Sequence, residues 1–225
     1  MRRPGFLLPL LPLLALLAPA GAGAADCPHR PPQTIEINVR TDPGQPVYSN
    51  KVRIADLTRM FLKQHRASFT GQQVTTGLTV SDAEFAIATQ LVTLKVADGR
   101  TCAWLSGVDM TLRYKTVTVY VAQEYQPGSC EHKAVLEHEN EHVAIDRRNL
   151  IDFAPRMRTT LAARARAQGP AIGRTDKAAG NYLLDQLKRA AKDVIDDMNQ
   201  ARERDHGKLD SPASYRATQA RCKGW

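Results

Sequence analysis

The sequence predicts an α+β domain, an antiparallel sheet followed by two long helices, the first of which carries a His-Glu-x-x-His segment. Three observations lead there. Alternating and β-branched apolar residues dominate 34–125, helical periodicity dominates 130–206, and Pro127 and Gly128 separate the two stretches. Strands first and helices later, without an internal repeat, suit one domain spanning 25–225 with an irregular tail at 207–225.

The elements follow in chain order. Arg2 and Arg3, the apolar run Phe6 to Ala18 and the small residues Ala20 to Ala25 read as a bacterial export signal, removed after about residue 24. That run is short and broken by Pro9 and Pro12, whereas a membrane span needs about 20 apolar residues. No stable membrane span is expected after its removal, and the mature chain is expected in the periplasm or outside the cell. Ile35, Ile37 and Val39 alternate with polar residues and predict a strand over 34–40. Ile54, Leu57, Phe61 and Leu62 recur at helical spacing and predict a short amphipathic helix over 54–65.

The β-rich stretch, with breaks at Asp98-Gly99 and near Gly107, reads as four strands of an antiparallel meander, 85–96, 102–106, 110–114 and 117–121. Ser129 or Cys130 begins a helix that runs to about Ala167 and that Pro155 should kink or divide. After Gly169, Pro170 and Gly173 a second helix runs from Ala179 to about Asp205, with Leu187, Val194, Ile195 and Met198 along one stripe. Folded back antiparallel, that stripe would meet Val135, Ile145 and Phe153 of the first helix.

Composition narrows the partners. The chain has 31 basic against 23 acidic residues, and 29 against 23 without Arg2 and Arg3, a formal charge of +6. The surplus sits largely between Arg147 and Arg174, on the expected solvated face of a helix, and no aromatic and basic interleaving points to nucleic acid. All four cysteines, Cys27, Cys102, Cys130 and Cys222, follow the signal without a CxxC element, so two disulfides are expected rather than a cysteine metal site. The expected pairs are Cys102 with Cys130, tying the sheet to the helix start, and Cys27 with Cys222, pinning both ends. Oligomeric state is not legible.

The chemistry concentrates in Glu137-His138-Glu139-Asn140-Glu141-His142. Residues four apart share a helix face about 6 Å apart, so His138 and His142 can converge on one metal. Glu139 is one residue past the first ligand, placed to act as general base on water that a zinc ion acidifies to a pKa of about 7. Glu137 and Glu141 should face solvent. His29, His65 and His132 have no partner at ligand spacing and read as structural or exposed.

A His-Glu-x-x-His helix that follows a sheet resembles the zincin class of metallopeptidases. The signal, the helix pair and the late His206-Gly207 further resemble the bacterial family catalogued as domain of unknown function 922, over about Thr75 to Tyr215. The resemblance implies a zincin-like domain, a zinc cofactor and hydrolysis of a peptide or protein substrate. A non-catalytic periplasmic protein that keeps the motif for metal binding or protein contacts is the alternative.

A third protein ligand is needed. The pattern HExxHxxGxxH would require Gly and His where Ile145 and Arg148 stand, which excludes the metzincin arrangement. After His142 the only His is His206 and the only Glu is Glu203. His206 is favoured, because Gly207 would let the helix stop and the imidazole turn inward; Glu203 is the alternative, followed by an aspartate such as Asp146. Asp146, one turn beyond His142, is better placed to accept that residue's ring N–H.

Overall fold

The structure is a computed structural model that describes residues 27–28, 34–65, 74–223 and 225. The proposed export segment and His29 lie outside the described residues, as does the side chain of His65. The elements are β1 (Glu36–Asp42), β2 (Pro46–Val52), α1 (Ile54–His65), β3 (Gly77–Lys95), β4 (Thr101–Ala122), α2 (Cys130–Ala167), β5 (Ala171–Gly173), α3 (Asp176–Leu209) and α4 (Pro212–Gln219).

β4 is the spine of the sheet. The expected strands at 102–106, 110–114 and 117–121 are one strand of 22 residues, and the apparent breaks are bulges. Ser106 and Lys115 are each skipped by the β3 register, in which Gly107 faces Gln90 and Leu105 faces Leu91, then Thr116 faces Asp82 and Tyr114 faces Ala83. An extra residue reverses which parity points inward. Ala103 and Leu105 are therefore buried, then Val108, Met110, Leu112 and Tyr114, then Val117, Val119 and Val121.

The expectation of an antiparallel sheet is corrected: β1 and β2 both run parallel to β4. β3 forms a hairpin with β4 through Asp98-Gly99 and occupies one edge of β4 from Thr101 to Val121. The other edge is shared in succession by β5, β1 and β2. Reversal into β3 and again into β4 restores the direction of β1 and β2, which the chain visits before either reversal. Gly44 joins β1 to β2 at φ 65°, where a Cβ would stand 2.7 Å from the Tyr114 carbonyl oxygen.

Helices cover both faces. Along β3 the even residues Leu78 and Val80 join Leu57 of α1 and Ala122 in a small cluster. Alternation sends Gly77, Thr79 and Ser81 to the opposite face, toward α2. The main core lies between β4 and the α2–α3 pair, with Val143, Leu150, Met157 and Leu161 of α2 against Leu183, Leu187, Val194 and Met198 of α3. Each fully buried leucine there contributes about 1.5–3 kcal/mol relative to exposure. Arg156 of α2 pairs with Asp197, and Arg164 with Gln186, so α3 runs antiparallel to α2. Arg147 and Arg158 do not merely face solvent: they donate to the Gly44 and Val39 carbonyls at the sheet edge.

Ser129 caps α2 by accepting from the His132 amide at 3.1 Å, and the helix passes through Pro155 without dividing. Two boundaries differ from expectation. α3 continues through Gly207 to Leu209, and the tail is not irregular, because Ser211 and Pro212 start α4.

The cysteines form two disulfides, paired otherwise than expected: Cys27 with Cys102 and Cys130 with Cys222. The antiparallel α2–α3 pair is the reason. It returns the end of α3 to the start of α2, so the segment after α4 reaches Cys130, while Cys27 meets the beginning of β4. Two disulfides fit an oxidising compartment, and no helix among the described residues is long and apolar enough to cross a membrane. Joint replacement of Cys130 and Cys222 by serine opens a bridge across 92 residues. It is expected to lower unfolding free energy by about 2–5 kcal/mol in a denaturant titration; an unchanged midpoint would show that the bridge does not constrain the chain.

Candidate metal centre

The site is built on three rungs between antiparallel helices. One turn along α2 separates His138, His142 and Asp146, and one turn along the facing end of α3 separates Arg202, His206 and the C-cap Asp210. Asp210 meets His138 and His142, His206 meets His142, and Asp146 meets both His206 and Arg202.

The Nε2 atoms of His138 and His142 converge on one oxygen, Asp210 Oδ1, at 3.2 and 3.1 Å. Their rings stand nearly perpendicular, at 81°. Zinc bonds of about 2.0–2.1 Å at tetrahedral angles would set neighbouring ligand atoms about 3.3 Å apart. The observed spacings therefore match a donor set that fits a small divalent ion. His138, Glu139 and His142, all buried, also offer ligand atoms within 4.8 Å of one another and could hold a metal ion.

Glu139 lies beside this point under β3. Its carboxylate accepts from the Thr79 hydroxyl at 2.8 Å, and a Cβ on Gly77 would come within 2.5 Å of Glu139 Oε1 and of Val135. Only glycine lets β3 pass this close. Burial pushes the Glu139 carboxyl up, offset in part by His142, His138 and the Thr79 hydroxyl. Burial opposes ionisation of Asp210 as well, but hydrogen bonds from His138 and His142 outweigh it and hold that carboxyl well below the usual range. For His142, burial disfavours the charged ring, yet the Asp210 hydrogen bond and the Glu139 charge carry its pKa upward.

Behind His142 lies a second layer. His142 Nδ1 is 2.6 Å from His206 Nδ1, and His206 Nε2 is 2.8 Å from Asp146 Oδ1. Asp146 is 1% exposed and also accepts from Arg202 and from the Ser81 hydroxyl. Burial alone would raise its pKa, but His206, Arg202 and Ser81 bring it down to about 2.

His138, Glu139, His142 and His206 are thus brought together, with two changes of part. His206 approaches the back of His142, and the place between the two Nε2 atoms belongs to Asp210. Asp146 bonds to His206 rather than directly to His142. Glu203 is exposed, as is Glu141, and Glu137 is an exposed partner of Arg221. His132 is half-buried near the helix start.

Sequence reasoning did not reach Asp210, Tyr215, Thr79, Ser81 and Arg202. Tyr215 of α4 donates to Asp210 Oδ1 at 2.9 Å, with its ring 5.4 Å from that of His138. Burial and then the Asp210 charge raise the Tyr215 pKa far above its ordinary value. The available signals were periodicities: Asp210 is one turn past His206, and Gly77, Thr79 and Ser81 are small residues at alternate positions of a strand. No family model, curated protein or solved structure matches this chain.

Proposed function

We propose that the protein is an exported zinc metallopeptidase that hydrolyses peptide bonds in the periplasm or outside the cell. The convergence of His138 Nε2 and His142 Nε2 on Asp210 Oδ1, with the Glu139 carboxylate alongside, carries the reading. Two imidazoles and one carboxylate with a position left open suit catalytic zinc. Bound there, zinc would act as a Lewis acid that acidifies water and polarises a carbonyl. Glu139 takes the proton from the attacking water as the new C–O bond forms, then delivers it to the amine as the C–N bond breaks. Thr79 holds the carboxylate in line, and its buried surroundings favour proton uptake. The two disulfides support an extracytoplasmic setting.

A second reading is a non-catalytic metal-binding or protein-interaction protein. It is favoured by the depth of Glu139, 4% exposed beneath Gly77 and Thr79.

Elemental analysis of purified protein is expected to give about one zinc per chain, with most of it lost in His138→Ala and in His142→Ala. Hydrolysis of an unfolded protein substrate is expected to stop on chelation and return with added zinc. Bound zinc without hydrolysis would leave the second reading; full zinc in both histidine variants would place the metal elsewhere.

A further inference from the structure

The polar array behind His142 is closed and specific. Ser81 comes from β3, Asp146 from α2, and Arg202 and His206 from α3, and every acceptor position of the Asp146 carboxylate faces a donor. The rings of His142 and His206 are close to parallel, at 22°, with centroids 4.8 Å apart and Nδ1 facing Nδ1 at 2.6 Å. A nitrogen pair at that distance shares one proton, so one ring donates and the other accepts. Asp146 is ionised and already takes hydrogens from Arg202 and Ser81, so His206 Nε2 must donate to it.

Once a cation takes His142 Nε2 in place of the contact with Asp210, that nitrogen carries no hydrogen, and the ring's hydrogen is on Nδ1, 2.6 Å from His206 Nδ1. His206 then accepts at Nδ1 while Nε2 donates to Asp146. We infer that Asp146 and His206 form a tautomer-setting relay that holds His142 ready to bind a cation through Nε2, with Arg202 and Ser81 fixing Asp146. This inference rests on the metal-binding reading above. It makes His206 a positioning residue, an imidazole inserted where a carboxylate or carbonyl commonly supports a metal-ligating histidine directly. An imidazole there lengthens the support by one ring, which the space between α2 and α3 requires, since Asp146 is one helical turn from His142.

The test uses the purified full protein, zinc competition against a chromophoric chelator, and cobalt(II) as a spectroscopic substitute. His206→Ala is expected to weaken zinc binding by about 10–100-fold. At saturating metal it should still bind one ion and keep the wild-type cobalt absorption spectrum, because the ligands are unchanged. His206→Gln, whose amide oxygen can accept from His142 Nδ1, should recover part of the affinity. Because Asp146 is buried and ion-paired, Ser81→Ala serves as the gentler perturbation of the same chain and should weaken binding less than His206→Ala. In the zinc-loaded wild type, nitrogen-15 shifts of the imidazoles should show His142 protonated on Nδ1 and His206 on Nε2.

Unchanged affinity in His206→Ala would overturn the relay. So would an altered cobalt spectrum in that variant, which would make His206 a ligand, or a zinc-loaded His206 protonated on Nδ1. A wild-type protein that binds no metal would overturn the underlying metal reading, an outcome distinct from metal bound equally by wild type and variants.

Discussion

Replacing Asp210 by alanine is expected to weaken zinc binding by more than about 100-fold, beyond the range of about 10–100-fold for a residue that only supports a ligand. Asp210 Oδ1 is the atom that meets both histidine Nε2 atoms, at 3.2 and 3.1 Å, and its loss leaves two ligands where catalytic zinc sites have three. Its ionisation is secured, because the hydrogen bonds that hold its pKa down outweigh the burial that would raise it. Asp210→Asn keeps an oxygen without the charge and should fall between wild type and alanine. Tyr215→Phe removes only the hydrogen bond to Asp210 and should cost less than either aspartate variant. Glu203→Ala is the control, since that side chain is exposed. Competition titrations with a zinc chelator rank the five proteins; an Asp210→Ala affinity within tenfold of wild type would remove Asp210 from the ligand set.

Local signals in this sequence are accurate where one element determines them. The spacing of Ile54, Leu57 and Phe61 marks α1, and Ser129 or Cys130 after Pro127-Gly128 marks the start of α2. What depends on two elements meeting is less legible. The gaps in β4 carry the pattern of turns, because a bulge and a turn both interrupt alternation; only the β3 ladder, which resumes on either side of each bulge, distinguishes the two. Parallel pairing of β1 and β2 with β4 arises from a crossover that leaves no mark in either strand. The disulfide pairing likewise follows from the return of α3 to the start of α2.

The site shows the same division. The His138–His142 spacing is local and fully legible, and the fold-back of the last helix follows from its apolar stripe. The exchange of parts between His206 and Asp210 turns on one helical turn. Reading Gly207 as a stop ended the helix early and put Asp210 in a tail, whereas the helix continues and carries Asp210 to the His138–His142 rung. A glycine costs a helix about 1 kcal/mol, which the packing of Val194 and Met198 against α2 readily outweighs.

Glu139→Gln is expected to separate activity from stability. Loss of a general base typically costs about 10²–10⁴-fold in rate, so peptide hydrolysis should fall by that factor while zinc content stays at the wild-type level. The amide keeps the volume beneath Gly77 and an oxygen to accept from Thr79, so the surroundings need not move. Stability should change in the other direction. Burial raises the Glu139 pKa in the folded chain, so the folded state holds that proton more tightly than the unfolded state. The metal-free protein accordingly loses stability as pH rises from the ordinary carboxylate range to the raised folded-state value, the window in which the unfolded chain has released the proton and the folded chain has not. Glutamine carries no ionisable group and escapes that loss. In thermal melts of metal-free protein near neutral pH, Glu139→Gln should unfold at or above the wild-type temperature, and the difference should shrink as pH falls below the carboxylate range. Full hydrolytic activity in Glu139→Gln would remove Glu139 as the base, and a lower melting temperature at neutral pH would show that its charge stabilises the metal-free fold.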